Sequence, residues 1–326
     1  MSRTETELVT TAGSGRARRG AAFGRSGNDT AQGRVKNRLT NRWATLAALL
    51  IAVFWTVPTL GLFISSIRPA ADITRSGWWT WFANPAVTLD NYRDVLAAGN
   101  SQLTMADSFL NSIAITIPAT LIPLCIATLA AYAFAWIDFK GRNALFIGVF
   151  ALQIVPIQMA LVPLLSLFSR GIKIGNVELF GNLDAGVGYT QVWIAHSIFA
   201  LPLAIYLLYN FITEIPGEVI EAARVDGAGH GQIFFRIVLP LTMPAIASFA
   251  IFQFLWVWND LLVALVFADG KVAPITKLLA EISGSRGQDW NLLTAGAFVA
   301  IIVPLIVFFA LQRYFVRGLL AGSTKG

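Results

Sequence analysis

Few residues of this 326-residue chain are of types that do chemistry, and their spacing separates very different proteins. The two histidines, His196 and His230, lie far apart in sequence with no Cys, Asp or Glu set at ligand spacing around them, so no metal site is expected. No Gly-x-x-x-x-Gly-Lys-Ser/Thr loop occurs, and no nucleophile stands beside a base. The chain is therefore not expected to be an enzyme or to hydrolyse ATP itself. What remains is Trp256, Trp258, Asn259 and Asp260, with Asp260 the one acid inside an apolar run of membrane length. A charge in that setting is costly and marks a functional site by default. Flat aromatic faces beside an amide and a carboxylate would suit a sugar. A packing cluster near the outer rim, with Asp260 paired to a neighbour or reaching water, accounts for the same residues and is the favoured reading. His196 has the same two readings, lining a polar path or hydrogen-bonding between helices.

The elements that must position these residues are unusually apolar. Hydrophobic residues make up 56% of the chain and charged residues 13%, about half the share of an ordinary soluble domain. Runs such as Trp43–Ser66 and Leu241–Phe267, of 24 and 27 residues, are long enough to cross a hydrocarbon core at about 1.5 Å per helical residue. Six such spans are expected, at about 43–66, 108–136, 144–168, 187–212, 241–267 and 292–312. They lack the strict alternation of barrel strands. The fold class is thus all-α integral membrane, with six transmembrane helices making a permease domain over 43–326. Prolines such as Pro118, Pro123, Pro156, Pro202 and Pro304 fall within the spans, where neighbours must satisfy the carbonyls they free. Cys125 is the single cysteine, so no intrachain disulfide can form.

Residues 1–42 are rich in Gly, Ser, Thr and Arg, and are expected to form a disordered basic cytoplasmic tail. The tail accounts for the whole net charge of +6, so nucleic acid is not expected as a partner. Its apolar successor starts too late and runs too long for a secretory signal. Sixteen Lys and Arg residues fall on the side that holds both termini and eight on the other, which makes both termini cytoplasmic in a multi-pass cell-membrane protein. Segment 67–107 then lies outside, with Trp78, Trp79, Trp81 and Phe82 as an anchor at the lipid interface.

One connection is unlike the rest. Thr213–Pro240 reads TEIPGEVIEAARVDGAGHGQIFFRIVLP. Pro216 can open a helix, Val219, Ala222 and Ala223 then share a face, and Gly227 suits the left-handed residue that ends it. A second short helix is expected next, with Ile233, Phe234 and Ile237 on one side. Pieces this short need a surface to pack on. The loop carries Glu214, Glu218, Glu221 and Asp226 against only Arg224 and Arg236, whereas a helix lying on lipid should be basic. Docking on a protein is the better reading.

Glu221-Ala222-Ala223, Asp226-Gly227-Ala228 and Ile237-Val238-Leu239-Pro240 resemble the EAA loop of ABC importer permeases. Asn84–Leu96, Asn111-Ser112, Ala130–Arg142 and Trp258-Asn259-Asp260 resemble the carbohydrate, maltose-type branch, and most its MalG-like second permease. The similarity runs from about residue 44 to the end; Trp136 departs from it, standing where the family often has Arg. The resemblance implies an L-shaped coupling helix within loop 213–240, with Glu221, Ala222, Ala223, Asp226, Gly227 and Ala228 docking on an ATPase subunit. It also implies a sister permease, two ATP-binding subunits that hold ATP and Mg, and an extracytoplasmic sugar-binding protein. The chain itself would bind no cofactor. The rival class is an ion-coupled secondary transporter of a small polar solute. That class needs ion-binding groups near the midplane, for which only Asp260 and His196 are on offer.

Overall fold

The computed structural model describes residues 42–100, 102–174, 177–180, 188–283 and 289–321. The expected tail, apart from Arg42, lies outside the described residues. The chain divides at Pro58 into Met1–Pro58, helical throughout its described part, and Thr59–Gly326. Helix α1 (Arg42–Ser66) is followed by short helices α2 (Ala70–Arg75) and α3 (Asp90–Ala97), with a 3-10 turn at Trp78–Phe82 between them. Then come α4 (Met105–Trp136), α5 (Arg142–Ala151), α6 (Ile157–Arg170), a two-stranded hairpin β1–β2 (Ile172–Ile174, Val177–Phe180) and α7 (Tyr189–Thr213). The chain continues through α8 (Gly217–Val225), α9 (His230–Trp258), α10 (Leu262–Phe267), α11 (Ile275–Ser283) and α12 (Trp290–Ala321). Among the described residues the fold is helical apart from that hairpin and an isolated bridge between Gly99 and Thr104. Among the described residues α1, α4, α7, α9 and α12 are each long and apolar enough to cross a membrane.

The third expected span, 144–168, is not one rod: Arg142–Ile154 and Ile157–Arg170 meet at 106°. Pro156 explains the break, because its ring excludes the preceding residue from helical geometry and it has no N–H to continue the ladder. The fifth expected span, 241–267, also differs. Asn259 and Asp260 interrupt it by bonding locally. The Asn259 amide donates to the Leu255 carbonyl at 2.7 Å, and the Asp260 carboxylate accepts from the Ala264 N–H at 3.1 Å, starting α10 afresh. At its other end the span reaches back to His230, so the second short helix is the first turn of α9 and not a separate piece. A π-type turn at Phe234–Val238 shifts the hydrogen-bond register just before Pro240, which lets the helix run through the proline.

Helix α4 is the central element. Thr104 and Asp107 form a reciprocal capping box at its start. Its buried face repeats small residues (Ser108, Ser112, Ala119, Ala127, Ala131), which admit α7 along most of its length. Close backbone approach of this kind replaces the hydrophobic drive that lipid does not supply between helices.

Three prolines are satisfied across helices by one rule. A proline frees the carbonyl four residues before it. Pro118 frees Ala114, and the Trp193 indole N–H of α7 donates to that carbonyl at 3.0 Å. Pro123 frees Ala119, which accepts from the Gln253 amide of α9 at 3.2 Å. Pro304 frees Ala300, which accepts from the Trp258 indole N–H at 2.9 Å. Each unmet carbonyl in hydrocarbon would cost several kcal/mol, about 2–7 by transfer estimates. These bonds therefore fix which helix faces lie together.

Candidate functional site

The corner between α8 and α9 has the geometry that its sequence forecasts at one decisive point. Gly227 has φ of +82°, where a side chain is strained. Its N–H donates to the Arg224 carbonyl at 3.0 Å and the Ala228 N–H to the Ala223 carbonyl at 2.9 Å, the paired bonds of a Schellman ending. The faces, however, are rotated from the expected ones. Ile220 is buried, with Ile215 beneath it and Ala223 and Ala228 half-buried against the same core. Val219 and Ala222, expected to pack, point outward. With Glu221, Asp226 and Gly227 they expose an acidic and apolar surface that also includes Val225, 87% exposed, and Phe235. Val225 and Phe235 were not among the residues the sequence pointed to. Val225 is turned outward by the rotation of α8, and Phe235 lies off the buried Ile233–Phe234 side of α9.

Two links hold this corner to the end of α4. The Tyr132 hydroxyl lies 3.0 Å from His230 Nδ1, and its ring meets Phe234 edge-on. Arg224 Nη2 donates to the Trp136 carbonyl at 3.1 Å. The Trp136 indole N–H is buried without a partner among the described residues. His230 thus serves the corner, and His196 belongs to a different cluster.

Of the residues singled out in the fourth and fifth spans, the structure brings His196 and Asp260 together and separates the others. His196 Nε2 and Asp260 Oδ2 are 3.8 Å apart, with both side chains largely buried. The Asp260 carbonyl accepts from the Thr276 hydroxyl at 2.7 Å, tying α11 to the break. Trp258 is 2% exposed; it stacks on Phe254, meets Phe109 edge-on and donates to Ala300 as above. Asn259 is exposed and folds back on its own helix. Trp256, two residues earlier, is 40% exposed and has none of these contacts.

At the end of the bundle that carries α2 and α3, an arginine not noticed in the sequence organises the chain. Arg68 is 4% exposed and donates to the carbonyls of Asp72 and Ser76 and to the hydroxyls of Ser76 and Thr80. Lys277 is likewise buried, and donates to the Ala268 carbonyl at 3.1 Å and to Asp269 at 3.0 Å. The hydrogen bond from Lys277, then that from Gly270, then the lysine's charge hold the Asp269 carboxyl below its ordinary value. Because the folded-state value is the lower one, the stabilisation is complete above the ordinary carboxylate range near 3.9 and is lost only as pH falls through the lowered value. Hydrogen exchange of loop 268–277, corrected for intrinsic rates, should therefore be flat from about pH 5 to 8 and should quicken below about pH 4. Lys277→Met should quicken it at every pH.

A bundle of membrane-length helices with proline-broken members and a rigid two-helix corner defines a multi-pass membrane transport subunit. The chain belongs to the family described as binding-protein-dependent transport system inner membrane component, whose family model matches residues 123–320. It is 54% identical to the osmoprotective compounds uptake permease protein GgtD of Synechocystis sp., over 89% of this chain and 95% of that protein. It is 40% identical to the alpha-glucoside transport system permease protein AglG of Rhizobium meliloti, over 87% and 97%. The trehalose transport system permease protein SugB of Mycobacterium tuberculosis is 31% identical, over 89% and 99%. Among solved structures, a bacterial ABC transporter involved in the import of the acidic polysaccharide alginate superposes with a TM-score of 0.63 at 20% identity. It covers 89% of this chain and all of that one, a likeness of fold alone.

Proposed function

We propose that this chain is the permease subunit of an ATP-driven importer that moves a small neutral sugar of the α-glucoside class into the cytoplasm. The observation that carries the importer reading is the corner at Gly227, which presents Glu221, Ala222, Val225 and Asp226 outward on a two-point mount. Such a projection fits a cleft in a separate ATPase, where ATP and Mg would be bound. Ala223 and Ala228 then serve the docking from behind, by fitting the corner to the bundle. The substrate class rests on the names of the relatives, which concern osmoprotective compounds, alpha-glucosides and trehalose.

The remaining parts of the assembly follow from the same reading. A sister permease completes the pore, two ATP-binding subunits dock at the two corners, and a sugar-binding protein delivers substrate from outside. Trp258, Asp260 and His196 hold the helices and do not line the path. The ion-coupled alternative needs an acid open to a path, whereas Asp260 is closed in by His196, Thr276 and the start of α10.

The test is uptake of labelled trehalose and sucrose into vesicles holding the complete complex, with binding protein outside. Uptake should require internal ATP and should persist when ion gradients are collapsed; the reverse pattern would support the secondary transporter. Orientation is checked separately. In a background with Cys125 replaced, a cysteine at Ser76 should react with an impermeant thiol reagent on intact cells, and cysteines at Ser14 or Ser323 should not. Labelling at position 14 from outside would invert the topology.

A further inference from the structure

The elbow between α5 and α6 sits beside a cavity of about 180 Å³, lined among others by Gln153, Val155, Ile198, Phe199, Pro202 and Trp256. Gln153 lies in the 3-10 turn that ends α5, about 17 Å of helix from Arg142, a length comparable to half the thickness of a hydrocarbon core. The elbow is an irregular stretch of backbone: Pro156 supplies no donor, the Leu152 carbonyl it frees accepts instead from the Val155 N–H at 3.1 Å, and the Gln153 and Ile154 carbonyls after it have no backbone partner among the described residues. Backbone in this state is tolerated at membrane depth only where it is buried in protein or lines a watered cavity. Two side chains point the same way. Neither the Gln153 amide nor the Trp256 indole N–H has a hydrogen-bond partner among the described residues, and both border the cavity. Among the described residues Trp256 is stacked on no aromatic ring, in contrast to Trp258 two residues on.

We infer that this cavity is a sugar subsite of the translocation path, with a pyranose ring laid on the face of Trp256 and its hydroxyls bonded to the Gln153 amide and the open carbonyls of the elbow. The chemistry matches a neutral polyhydroxylated ring: an apolar face meets the indole, and unsatisfied donors and acceptors meet the hydroxyl rim. Among the described residues no charged side chain borders the cavity, so a sugar acid or an ion would find no counter-charge there. Its volume is below the roughly 300–1,000 Å³ of a complete small-molecule site, so it is a half-site, closed from the facing permease. The inference rests on the importer reading above and adds to it the place and the residues.

The test uses the whole complex, Cys125 replaced, with Ile198→Cys, a lining residue given no bond to the sugar, and Val155→Cys should the first fail to assemble. Labelling is followed at rest and during ATP turnover, with a water-soluble cationic methanethiosulfonate and with a lipid-soluble maleimide. The expected result is reaction with the water-soluble reagent, slowed about tenfold by trehalose or sucrose, a factor worth about 1.4 kcal/mol. Adding Trp256→Ala should abolish that protection, and Trp256→Phe should keep it. Reaction with the lipid-soluble reagent alone would make the cavity a crevice facing lipid. Reaction with neither would mean that the sister permease fills it. Reaction without sugar protection, in a complex that still imports these sugars, would make it a watered gap with no subsite. Each of these overturns the inference and leaves the importer reading standing. If the complex with the cavity intact imports neither sugar, the α-glucoside reading fails first and the subsite falls with it.

Discussion

Gly227→Val should leave insertion and assembly of the helical bundle intact while abolishing most sugar-stimulated ATP hydrolysis. The residue stands at φ +82°, and a β-carbon there would meet nothing within 4 Å. The penalty is thus purely of backbone conformation, about 1–3 kcal/mol for a β-branched side chain held in that region. The chain can relieve it by giving up the two bonds that close the corner, Gly227 to Arg224 and Ala228 to Ala223. Val225 and Asp226 then leave their positions on the exposed surface, and a loss of 1.4 kcal/mol at the ATPase contact is already about tenfold in affinity. Gly227→Asn should be far milder, since Asn tolerates the left-handed region. Gly231→Ala should be nearly silent, because that glycine has ordinary φ and open space around it. Glu221→Lys should resemble Gly227→Val by reversing charge on the docking face without touching the corner. ATPase co-purification and stimulated hydrolysis are the measurements. Full coupling in both Gly227→Val and Glu221→Lys would remove the basis for the proposed docking.

Trp258→Ala should be the most damaging single change in the membrane region. It removes a side chain 2% exposed, its contacts with Phe254 and Phe109, and the donor to the carbonyl that Pro304 frees. Large aromatic truncations in packed interiors cost about 3–5 kcal/mol. Trp258→Phe should keep the ring contacts but orphan the Ala300 carbonyl, at about 1–3 kcal/mol. Because the bond exists to serve the proline, Pro304→Ala should rescue Trp258→Phe by restoring the α12 ladder. The thermal midpoint of the purified complex measures all four proteins of the cycle. Independent, additive effects of Trp258→Phe and Pro304→Ala would show that the indole N–H does not act through the freed carbonyl. Trp256→Ala, by contrast, should leave the midpoint nearly unchanged.

The contrast between these two tryptophans marks where the sequence stops being readable. Apolar length located α1, α4, α7 and the apolar part of α12 to within a few residues, because it depends on composition along the chain. The turn at Gly227 was legible for the same reason: a helix start at Pro216 and a glycine beyond it are local signals. Which face of α8 turns inward was not, since a helix of this length takes its rotation from whatever it packs on, here the core around Ile215 and Ile220. The elbow at Val155–Pro156 was hidden because length and hydropathy are the same for a straight and a bent rod. The pairing of Trp193, Gln253 and Trp258 with three freed carbonyls links positions far apart in the chain, so no window along one helix contains it.

The continuity of α9 with the corner has a mechanical consequence. From His230 to Trp258 the chain is one helix of 29 residues, about 43 Å long, reaching from the proposed ATPase contact to the break at Asn259. A helix resists axial compression, so a shift of the corner is delivered at the far end nearly undiminished, as a strut delivers a push. The compliant points are the π-type turn at Phe234–Val238 and the bend at Asn259–Leu261, one near each end. Trp256 and Trp258 ride on the far end of that strut. A stroke that lifts Trp258 off the Ala300 carbonyl at 2.9 Å also swings Trp256 along the wall of the elbow cavity. Nucleotide state and the width of a mid-membrane recess would in that way be two readings of one rigid-body coordinate.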